Sequence, residues 1–284
     1  MKAIQAFVAT HPKAGATWLR FLLAQYLSIA HNERYVLTLK NMTWFVPYRP
    51  PQKDAERYLF DDRSEIPLVC FSHNMPDFPE YGLSNKVVLL LRHPFALVVS
   101  RFFHVAHHAP DPTAGSGTDI FEFAMKGRDG LANTRGFLNG WAPEIKKRGG
   151  LVMTYEEMEE DIRAAFTKFL TYCGIPIDDT ALTAAIEASD KAHMIDAERR
   201  DPLNPEAELD GRKARVHFVG RYDDYFSNSQ QEQMRDMFLN GLDPAAHELL
   251  RIHGLLPKVF DLQKAIQDDA AIAARLAANP IMRG

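Results

Sequence analysis

The stretch "FVATHPKAGATWLRFLLAQYL", residues 7–27, passes from a short apolar run through a turn with one lysine and one glycine into a patterned segment. Apolar residues of that segment recur every three or four positions, which predicts a helix from about Ala16 to Ala30. They are Trp18, Leu19, Leu22, Leu23, Tyr26 and Leu27. A strand that enters a helix through a glycine turn directs backbone N–H groups and the positive helix end toward an anion. The stretch therefore predicts a phosphate-binding loop, to which Lys13 adds a charge and Thr17 a hydroxyl.

The order of lysine and glycine distinguishes this loop from the common nucleoside-triphosphate loop. That motif, G-x-x-x-x-G-K-[ST], places its lysine after the second glycine, whereas Lys13 precedes Gly15, the one glycine of this turn. An ATP-dependent kinase of that class also needs a carboxylate at a strand end to hold Mg²⁺. The apolar run at 87–91 is followed instead by Arg92. A kinase is therefore kept only as an alternative.

Four short apolar runs alternate with helical patterns along the chain. The runs, which predict buried strands, are residues 4–9, 67–72, 86–91 and 151–155. Helical patterns follow the first run, and others follow Pro94, Tyr155 and Asp178. This alternation predicts an α/β fold, a single domain with a central, mostly parallel sheet flanked by helices. Ligands of such sheets bind beyond the carboxyl ends of the strands, so we expect the site at that edge.

Two stretches depart from the alternation. Residues 108–118 are rich in proline, glycine and small polar residues, which predicts a loop. Residues 196–214 are charged, contain two prolines and show no helical period, so we expect a mobile surface segment that can act as a lid. Residues 228–278 are predicted to be helical throughout.

Length and composition indicate an ordinary globular protein. The chain has 284 residues, of which 46% are hydrophobic and 25% charged. We expect one domain over residues 1–284, with a core at 1–255 and a C-terminal helical tail at 256–284. The net charge of -4 argues against nucleic acid as a partner, because such binding needs a concentrated cationic face. Any anion site must therefore be local.

Neither the cysteines nor the apolar runs point to a secreted or membrane-spanning protein. Cys70 and Cys173 are far apart in sequence, and small buried hydrophobes are favoured over a disulfide. No apolar run approaches the roughly 18 to 20 residues that span a membrane. The first apolar run leads directly into the glycine turn and so predicts a strand rather than a signal peptide. We expect a cytoplasmic protein. The sequence does not indicate the oligomeric state, and a homodimer is possible.

The stretch "HPKAGATWL" resembles the 5′-phosphosulfate loop of the sulfotransferases that use 3′-phosphoadenosine 5′-phosphosulfate (PAPS), usually Y-P-K-S-G-T-T-W. Identical positions are Pro12, Lys13, Gly15, Thr17 and Trp18. Ala14 and Ala16 replace a serine and a threonine, so anchoring of the anion must depend more on backbone N–H groups. The resemblance implies that residues 13–18 bind the cofactor. It covers most of residues 3–240, with the family's motifs in the same order.

The segment "VVLLLRHPFALVVSRFFH", residues 87–104, is similar to the family's 3′-phosphate segment. There an arginine ends a strand and a serine follows eight residues later on the next helix, positions that Arg92 and Ser100 occupy here. A dianionic phosphate favours a guanidinium fork together with a hydroxyl donor. The resemblance therefore implies that Arg92 and Ser100 bind the 3′-phosphate.

Two later segments extend the resemblance. "GLVMTYEEM", residues 150–158, looks like the family's Y-E-D-L segment, which implies that Tyr155 contacts the adenine, with Trp18 on its other side. "RVHFVGRYDDYF", residues 215–226, resembles R-K-G-x-x-G-D-W-x-x-x-F and implies that Arg215 also binds the 3′-phosphate. Identical positions here are Arg215, Gly220 and Phe226, whereas Val216, His217 and Tyr222 depart from the motif.

"PLVCFSHNMP", residues 67–76, corresponds to the family's K-T-H-x-P segment. The resemblance implies that His73 is the general base that takes the proton of the acceptor hydroxyl, and an imidazole suits this role near neutral pH. Phe71 takes the place of the family lysine, so either Lys13 or another side chain must supply the missing charge. The family needs no metal. His104, His107 and His108 have a helical spacing that could suggest zinc, but a polar helix end is favoured because no fourth ligand is evident.

The resemblance implies an enzyme that moves a sulfuryl group from PAPS to a hydroxyl, less readily an amine, and releases 3′-phosphoadenosine 5′-phosphate (PAP). The acceptor can be a small molecule, a lipid or a sugar. An aromatic-rich stretch could line an acceptor pocket, although core packing is favoured. Its members are Trp44, Phe45, Tyr48, Tyr58 and Phe60. Besides the kinase, a non-catalytic module that binds a phosphoadenosine nucleotide remains an alternative. This alternative stays open because Phe71 stands where the family has a lysine.

Overall fold

The four predicted strands form one parallel sheet in the computed structural model, which describes residues 3–33, 35–48, 63–108, 119–200 and 222–257. The strands are β1 (Ile4–Thr10), β2 (Leu68–Ser72), β3 (Val87–Leu91) and β4 (Leu151–Thr154). Their order is β2-β1-β3-β4, and every pairing is parallel. The fold class predicted from the alternating pattern is confirmed.

Strand β1 lies at the centre of the sheet and determines where a ligand can bind. Phe7 pairs with Cys70 of β2 on one side and with Val87 of β3 on the other. All side chains of β2 and β3 are buried, as expected for strands covered on both faces. The chain leaves β1 toward β2 and returns to β3 across β1, so the strand order reverses between β1 and β3. Ligands of such sheets bind at this reversal, beyond the carboxyl ends of the strands.

The described helices belong to two compact units. The first unit contains the sheet with α1 (Ala16–Ala30), α5 (Tyr155–Glu160), α6 (Ile162–Cys173), α7 (Asp179–Ala188) and α8 (Lys191–Arg200). The second contains α2 (Pro94–His108), α3 (Ile120–Lys126), α9 (Asn228–Leu239) and α10 (Pro244–Ile252). Helix α4 (Leu131–Arg148) begins in the second unit and ends in the first, and the boundary falls at Pro143. Short 3-10 helices occupy Asn41–Trp44, Pro79–Leu83 and Tyr222–Asp224.

In the first unit, α1 is anchored by its apolar face and by one tyrosine. The Tyr26 ring meets Phe166 of α6 edge-on at 5.8 Å, and its hydroxyl donates to the Pro176 carbonyl at 2.6 Å. The Asp178 backbone N–H donates back to that hydroxyl at 2.9 Å. Cys70 and Cys173 are buried free thiols, and burial raises the pKa of each to about 12. Both remain neutral near pH 7, which confirms their prediction as small hydrophobic residues.

In the second unit, polar side chains connect neighbouring helices, and one helix has a side-chain cap. The Arg135 guanidinium of α4 donates to the Met237 carbonyl of α9 at 2.7 Å. Arg101 and Asp129 form a partly buried ion pair at 3.0 Å. Ser227 caps α9 in a reciprocal arrangement with Gln230.

The sequence-based boundaries fail in three places. Tyr155 does not end a strand; it begins α5, because the Thr154 side chain caps the helix at that point. Residues 196–200 are helical rather than irregular, since they complete the turn that buries Met194 and Ala197 in α8. Helix is interrupted between Leu239 and Pro244, where the prediction of continuous helix is wrong. Helices α3 and α4 were not predicted at all.

Residues 109–118, 201–214 and 258–284 lie outside the described residues. These ranges include nearly all of the predicted loop and tail and most of the proposed lid.

Candidate functional site

A predicted site residue follows the carboxyl end of every strand. Lys13 comes three residues after Thr10 of β1, His73 follows β2, Arg92 follows β3 and Tyr155 follows β4. Because the strands are parallel, these ends share one edge of the sheet. All four residues belong to the first compact unit.

The loop between β1 and α1 has an unusual backbone. Lys13 has a φ of 76° and Gly15 a φ of 107°, both in the left-handed region. For a lysine this conformation costs about 1 kcal/mol, and such strain is commonly found at binding sites. The Ala14 N–H closes a turn on the His11 carbonyl at 3.1 Å. Successive turns of this kind direct backbone N–H groups into an anion-binding concavity.

Helix α1 presents its first N–H groups without a side-chain cap in the described structure, and its first turn contains no acidic residue. The first N–H groups of a helix have no intrahelical acceptor, and the helix dipole favours a negative charge beside them. Ala14 and Ala16 are buried, so they contribute backbone rather than side chain to the loop. Lys13 and Thr17 are half-buried at its surface. The arrangement suits a phosphate or a phosphosulfate.

Gly15 lies directly against the ring of Tyr155. A Cβ atom at position 15 would stand 2.8 Å from Tyr155 Cδ2, closer than carbon atoms pack. The same ring meets Trp18 edge-on with centroids 5.8 Å apart, and the Trp18 indole N–H is fixed by donation to the Ser189 carbonyl at 3.1 Å. Burial raises the pKa of Tyr155 to about 12, so its hydroxyl is neutral. The structure therefore brings the loop and both aromatic candidates together.

Arg92 completes this cluster. Its guanidinium carbon lies 4.1 Å from the centre of the Tyr155 ring, and Nη1 donates to the Lys13 carbonyl at 3.2 Å. Its Nε is buried and has no hydrogen-bond partner among the described residues. Buried polar atoms are normally paired, so an unpaired N–H beside an anion loop is consistent with an acceptor supplied by a ligand.

His73 is fixed to the strand that leads into the loop. Its Nδ1 lies 2.8 Å from the carbonyl oxygen of Thr10, the last residue of β1. A carbonyl can only accept, so Nδ1 carries the proton and Nε2 is the basic nitrogen of the neutral ring. The side chain is exposed to solvent, and the ring of Tyr48 lies 5.2 Å away. This is a suitable arrangement for a general base.

Position 71 supplies no charge to this edge because it is a phenylalanine, whose side chain is fully buried. Arg20 of α1 is a cation that the sequence analysis did not identify. Its guanidinium carbon lies 5.9 Å from the centroid of the Phe71 ring and 3.8 Å from that of the Tyr48 ring. Arg20 lies on the same helical stripe as Leu23 and Leu27. A charged residue on an apolar stripe was the signal that could have revealed it.

The remaining candidates belong to the second unit or lie outside the described residues. Ser100 is buried in α2 of the second unit. Arg215 is not among the described residues. Tyr222, which stands in place of the family tryptophan, stacks on His93 with centroids 4.5 Å apart in the second unit. Phe226 is buried in the same unit.

The aromatic stretch divides between core and surface. Phe45 is fully buried, Trp44 is 42% exposed and Tyr48 is half-buried beside His73. Tyr58 and Phe60 are outside the described residues. No group of three or more His, Cys, Asp or Glu in the described part of the chain could hold a metal ion, and the side chains of His107 and His108 are not described. None of the described helices is long and apolar enough to cross a membrane.

Comparison with known proteins gives one consistent family. The model of the sulfotransferase domain matches residues 3–247. Sulfotransferase 2B1 of Rattus norvegicus is 22% identical over 244 residues, covering 82% of this chain and 69% of the relative. Sulfotransferase 2A1 of Homo sapiens is 24% identical over 187 residues, covering 64% of this chain and 63% of the relative. The matched regions thus span about two thirds of these relatives.

Solved structures share the fold. Mouse sulfotransferase SULT7A1 complexed with PAP superposes with a TM-score of 0.58 at 17% identity, covering 89% of both chains. Retinol dehydratase in complex with androsterone and the inactive cofactor PAP superposes with a TM-score of 0.56 at 17% identity. That match covers 86% of this chain and 82% of the other.

Proposed function

Because the chain belongs to the sulfotransferase family, we propose that it transfers a sulfuryl group from PAPS to an acceptor hydroxyl, with His73 as general base. The observation that carries this proposal is the hydrogen bond between His73 Nδ1 and the Thr10 carbonyl, 2.8 Å long. It ties the candidate base to the strand that leads directly into the candidate phosphosulfate loop. The base and the anion site are thereby held at the same edge of the sheet.

The residues at this edge fit PAPS. The N–H groups of the loop and of the first turn of α1, together with Lys13 and Thr17, would hold the 5′-phosphosulfate. Arg92 would hold the 3′-phosphate, with Ser100 and Arg215 as further ligands. The unpaired buried Nε of Arg92 supports this role, since a phosphate oxygen would satisfy it. Trp18 and Tyr155 would contact the adenine from the same side of the base, because their rings meet edge-on at 5.8 Å and leave no space for a base between them.

Each residue then has one task in an in-line displacement. As the acceptor oxygen bonds to sulfur, the bond from sulfur to the 5′-phosphate oxygen breaks and PAP departs. His73 Nε2 receives the proton of the acceptor hydroxyl. Lys13 and the loop N–H groups stabilise the negative charge that grows on the departing oxygen, as preorganised donors do in phosphoryl transfer. The proposal uses no metal.

We propose a small-molecule, lipid or sugar alcohol as acceptor, with an amine less favoured. The exposed Trp44 and the half-buried Tyr48 beside His73 support an acceptor that carries an apolar portion. A cytoplasmic location and a homodimer stay predictions.

A second candidate function is a module that binds a phosphoadenosine nucleotide without turnover. The buried Phe71 favours it, because the family lysine is missing at that position. No observation in the described structure favours the kinase.

Sulfuryl transfer tests the proposal and separates it from the binding module. Wild-type protein and His73→Gln are incubated with PAPS labelled in the sulfuryl group and with panels of phenols, steroids, sugars and lipid alcohols. We expect labelled product with the wild type and a loss of about 100-fold or more in His73→Gln, with PAP affinity unchanged. PAP binding without transfer to any panel member supports the module. Equal transfer by both proteins excludes His73 as the base.

A further inference from the structure

Arg20 is a buried cation without a carboxylate partner in the described part of the chain. Its side chain is 1% exposed. Its Nε and Nη2 both donate to the Val46 carbonyl, at 3.0 and 2.5 Å. Burial lowers the pKa of the guanidinium, as expected for a charge removed from water. Burying a charge in this way is costly, so its contacts should serve a purpose beyond filling space.

The principal contact of the Arg20 guanidinium, apart from Val46, is the ring of Tyr48. The guanidinium carbon lies 3.8 Å from the ring centroid, a face-on cation–π contact. A planar guanidinium stacks on an aromatic face better than an ammonium does, which favours arginine here. The Tyr48 ring is therefore held against α1, the helix that begins at the phosphosulfate loop.

The backbone brings Tyr48 to the histidine. The Phe71 N–H of β2 donates to the Pro47 carbonyl at 2.9 Å, so the segment before Tyr48 runs along the edge of β2. Two residues beyond Phe71, the His73 ring lies 5.2 Å from the Tyr48 ring at an angle of 48°. The hydrogen bond to Thr10 fixes one atom of the imidazole, and the contact with the Tyr48 ring bears on the plane of this exposed ring.

We propose that Tyr48 is a positioning residue for His73, and that Arg20 holds Tyr48 in place through the cation–π contact. The inference rests on the proposed role of His73 as base. Arg20 is sealed from the surface and does not reach substrate, so it acts through Tyr48. The pair keeps the imidazole with Nδ1 on the Thr10 carbonyl and Nε2 turned toward the acceptor. Without the Tyr48 ring, the imidazole can leave that carbonyl and exchange between its two tautomers.

The tautomer of His73 can be measured without cofactor or acceptor. Protein labelled with ¹⁵N-histidine is recorded in long-range proton–nitrogen spectra at a pH of about 8, above the ordinary histidine pKa of about 6.5. The chain has 11 histidines, and the signals of His73 are assigned by their absence in His73→Gln. We expect one tautomer in the wild type, with the proton on Nδ1.

Four variants test the two contacts. Tyr48→Leu and Arg20→Met should both give a mixture of tautomers, whereas Tyr48→Phe, which keeps the ring, should retain the single one. Tyr35→Leu is the matched control, because Tyr35 lies in the same segment against Phe45 and is 42% exposed. It should leave His73 unchanged. If Arg20→Met does not fold, Arg20→Lys replaces it, since it keeps a cation but loses the flat stacking surface.

A single unchanged tautomer in Tyr48→Leu overturns the inference, and an unchanged tautomer in folded Arg20→Met removes Arg20 from it. A mixture of tautomers in Tyr48→Phe or Tyr35→Leu would also show that the contact with the Tyr48 ring is not what holds His73 in a single tautomer. These outcomes are separate from a failure of the proposed function. That failure appears as absent PAP binding or as transfer that does not depend on His73, neither of which the spectra measure.

Discussion

Gly15 meets two demands that no other residue can meet together. Its φ of 107° lies in the left-handed region, and the ring of Tyr155 occupies the space where a side chain would begin. The first demand follows from the turn chemistry of the loop and was predictable. The second depends on a residue 140 positions later in the chain, which only the folded sheet brings near.

Gly15→Ala should therefore lower both stability and PAP affinity. The φ strain costs about 1–2 kcal/mol, and the contact at 2.8 Å forces Tyr155 to move in addition. The stability is measured by urea denaturation and the affinity by calorimetry. Gly149→Ala is the control, because Gly149 has a φ of 58° with nothing within 4 Å of the added carbon. If both variants lose equal stability and neither loses PAP affinity, Tyr155 is not packed on the loop as described.

Single residues differ in how much of their position and role can be predicted from the sequence. The positions of His73 and Arg92 at strand ends could be predicted because each follows a continuous apolar run, whereas their roles were implied only by the resemblance to the family. Arg20 could not be assigned a role, since its partners Val46 and Tyr48 lie on a segment without a clear period. Its role depends on a contact between segments rather than on local pattern.

At the scale of elements, the capping box of α5 sets the position of Tyr155. The Thr154 hydroxyl accepts from the Glu157 N–H at 3.0 Å, and the Glu157 carboxylate accepts from the Thr154 N–H at 3.0 Å. This pair ends β4 and starts the helix in one step. Tyr155 is thereby placed at the first helical position, directly beside the loop.

Thr154→Ala should cost about 1 kcal/mol of unfolding free energy and should also weaken PAP binding, because Tyr155 loses its fixed position. Ser227→Ala removes the equivalent cap of α9, which belongs to the second unit. It should cost a similar amount of stability and leave PAP affinity unchanged. The two proteins are compared by urea denaturation and calorimetry. Equal PAP affinity in both would contradict the role of the α5 cap.

Helices and strands could be predicted from the sequence where a local pattern of apolar residues indicates them. The four strands are mostly apolar, with β2 and β3 buried throughout, and their predicted ends differ from the observed ones by one residue at most. Helix α1 agrees with its apolar period over Ala16–Ala30. Helix α8 was not predicted, and residues 196–200 were assigned to the charged surface segment, because the buried Met194 and Ala197 lie on either side of the start of that segment. Strand order was not predictable, since it depends on which crossovers the helices can make.

For the whole molecule, the two buried thiols make the free energy of unfolding depend on pH in the alkaline range. Burial raises the pKa of Cys70 and of Cys173 from 9.0 to about 12. Above pH 9 the unfolded chain loses these protons while the folded chain keeps them, so the unfolded state binds fewer protons. The free energy of unfolding therefore falls as pH rises from about 9 toward 12.

The size of this effect can be measured with one double variant. Each thiol contributes a slope of about 1.4 kcal/mol per pH unit once the unfolded thiol is ionised. Urea denaturation under reducing conditions at pH 8 and about pH 10.5 should show a smaller loss of stability in the Cys70→Ala, Cys173→Ala protein than in the wild type. An identical loss in both proteins would mean that the thiols are not the groups responsible.

The sheet edge formed by the loop, Arg92 and Tyr155 is proposed to bind a nucleotide with a 3′-phosphate. This proposal is tested by calorimetric titration of the protein with PAP, with adenosine 5′-monophosphate, which lacks the 3′ group, and with ATP and Mg²⁺. We predict tight binding of PAP without metal, much weaker binding of the monophosphate, and a loss of about tenfold or more in Arg92→Ala. Arg163→Ala, which changes an exposed arginine of α6, should bind PAP as the wild type does. Binding of ATP with Mg²⁺ at an affinity that does not depend on a 3′-phosphate would contradict the proposed site and favour the kinase.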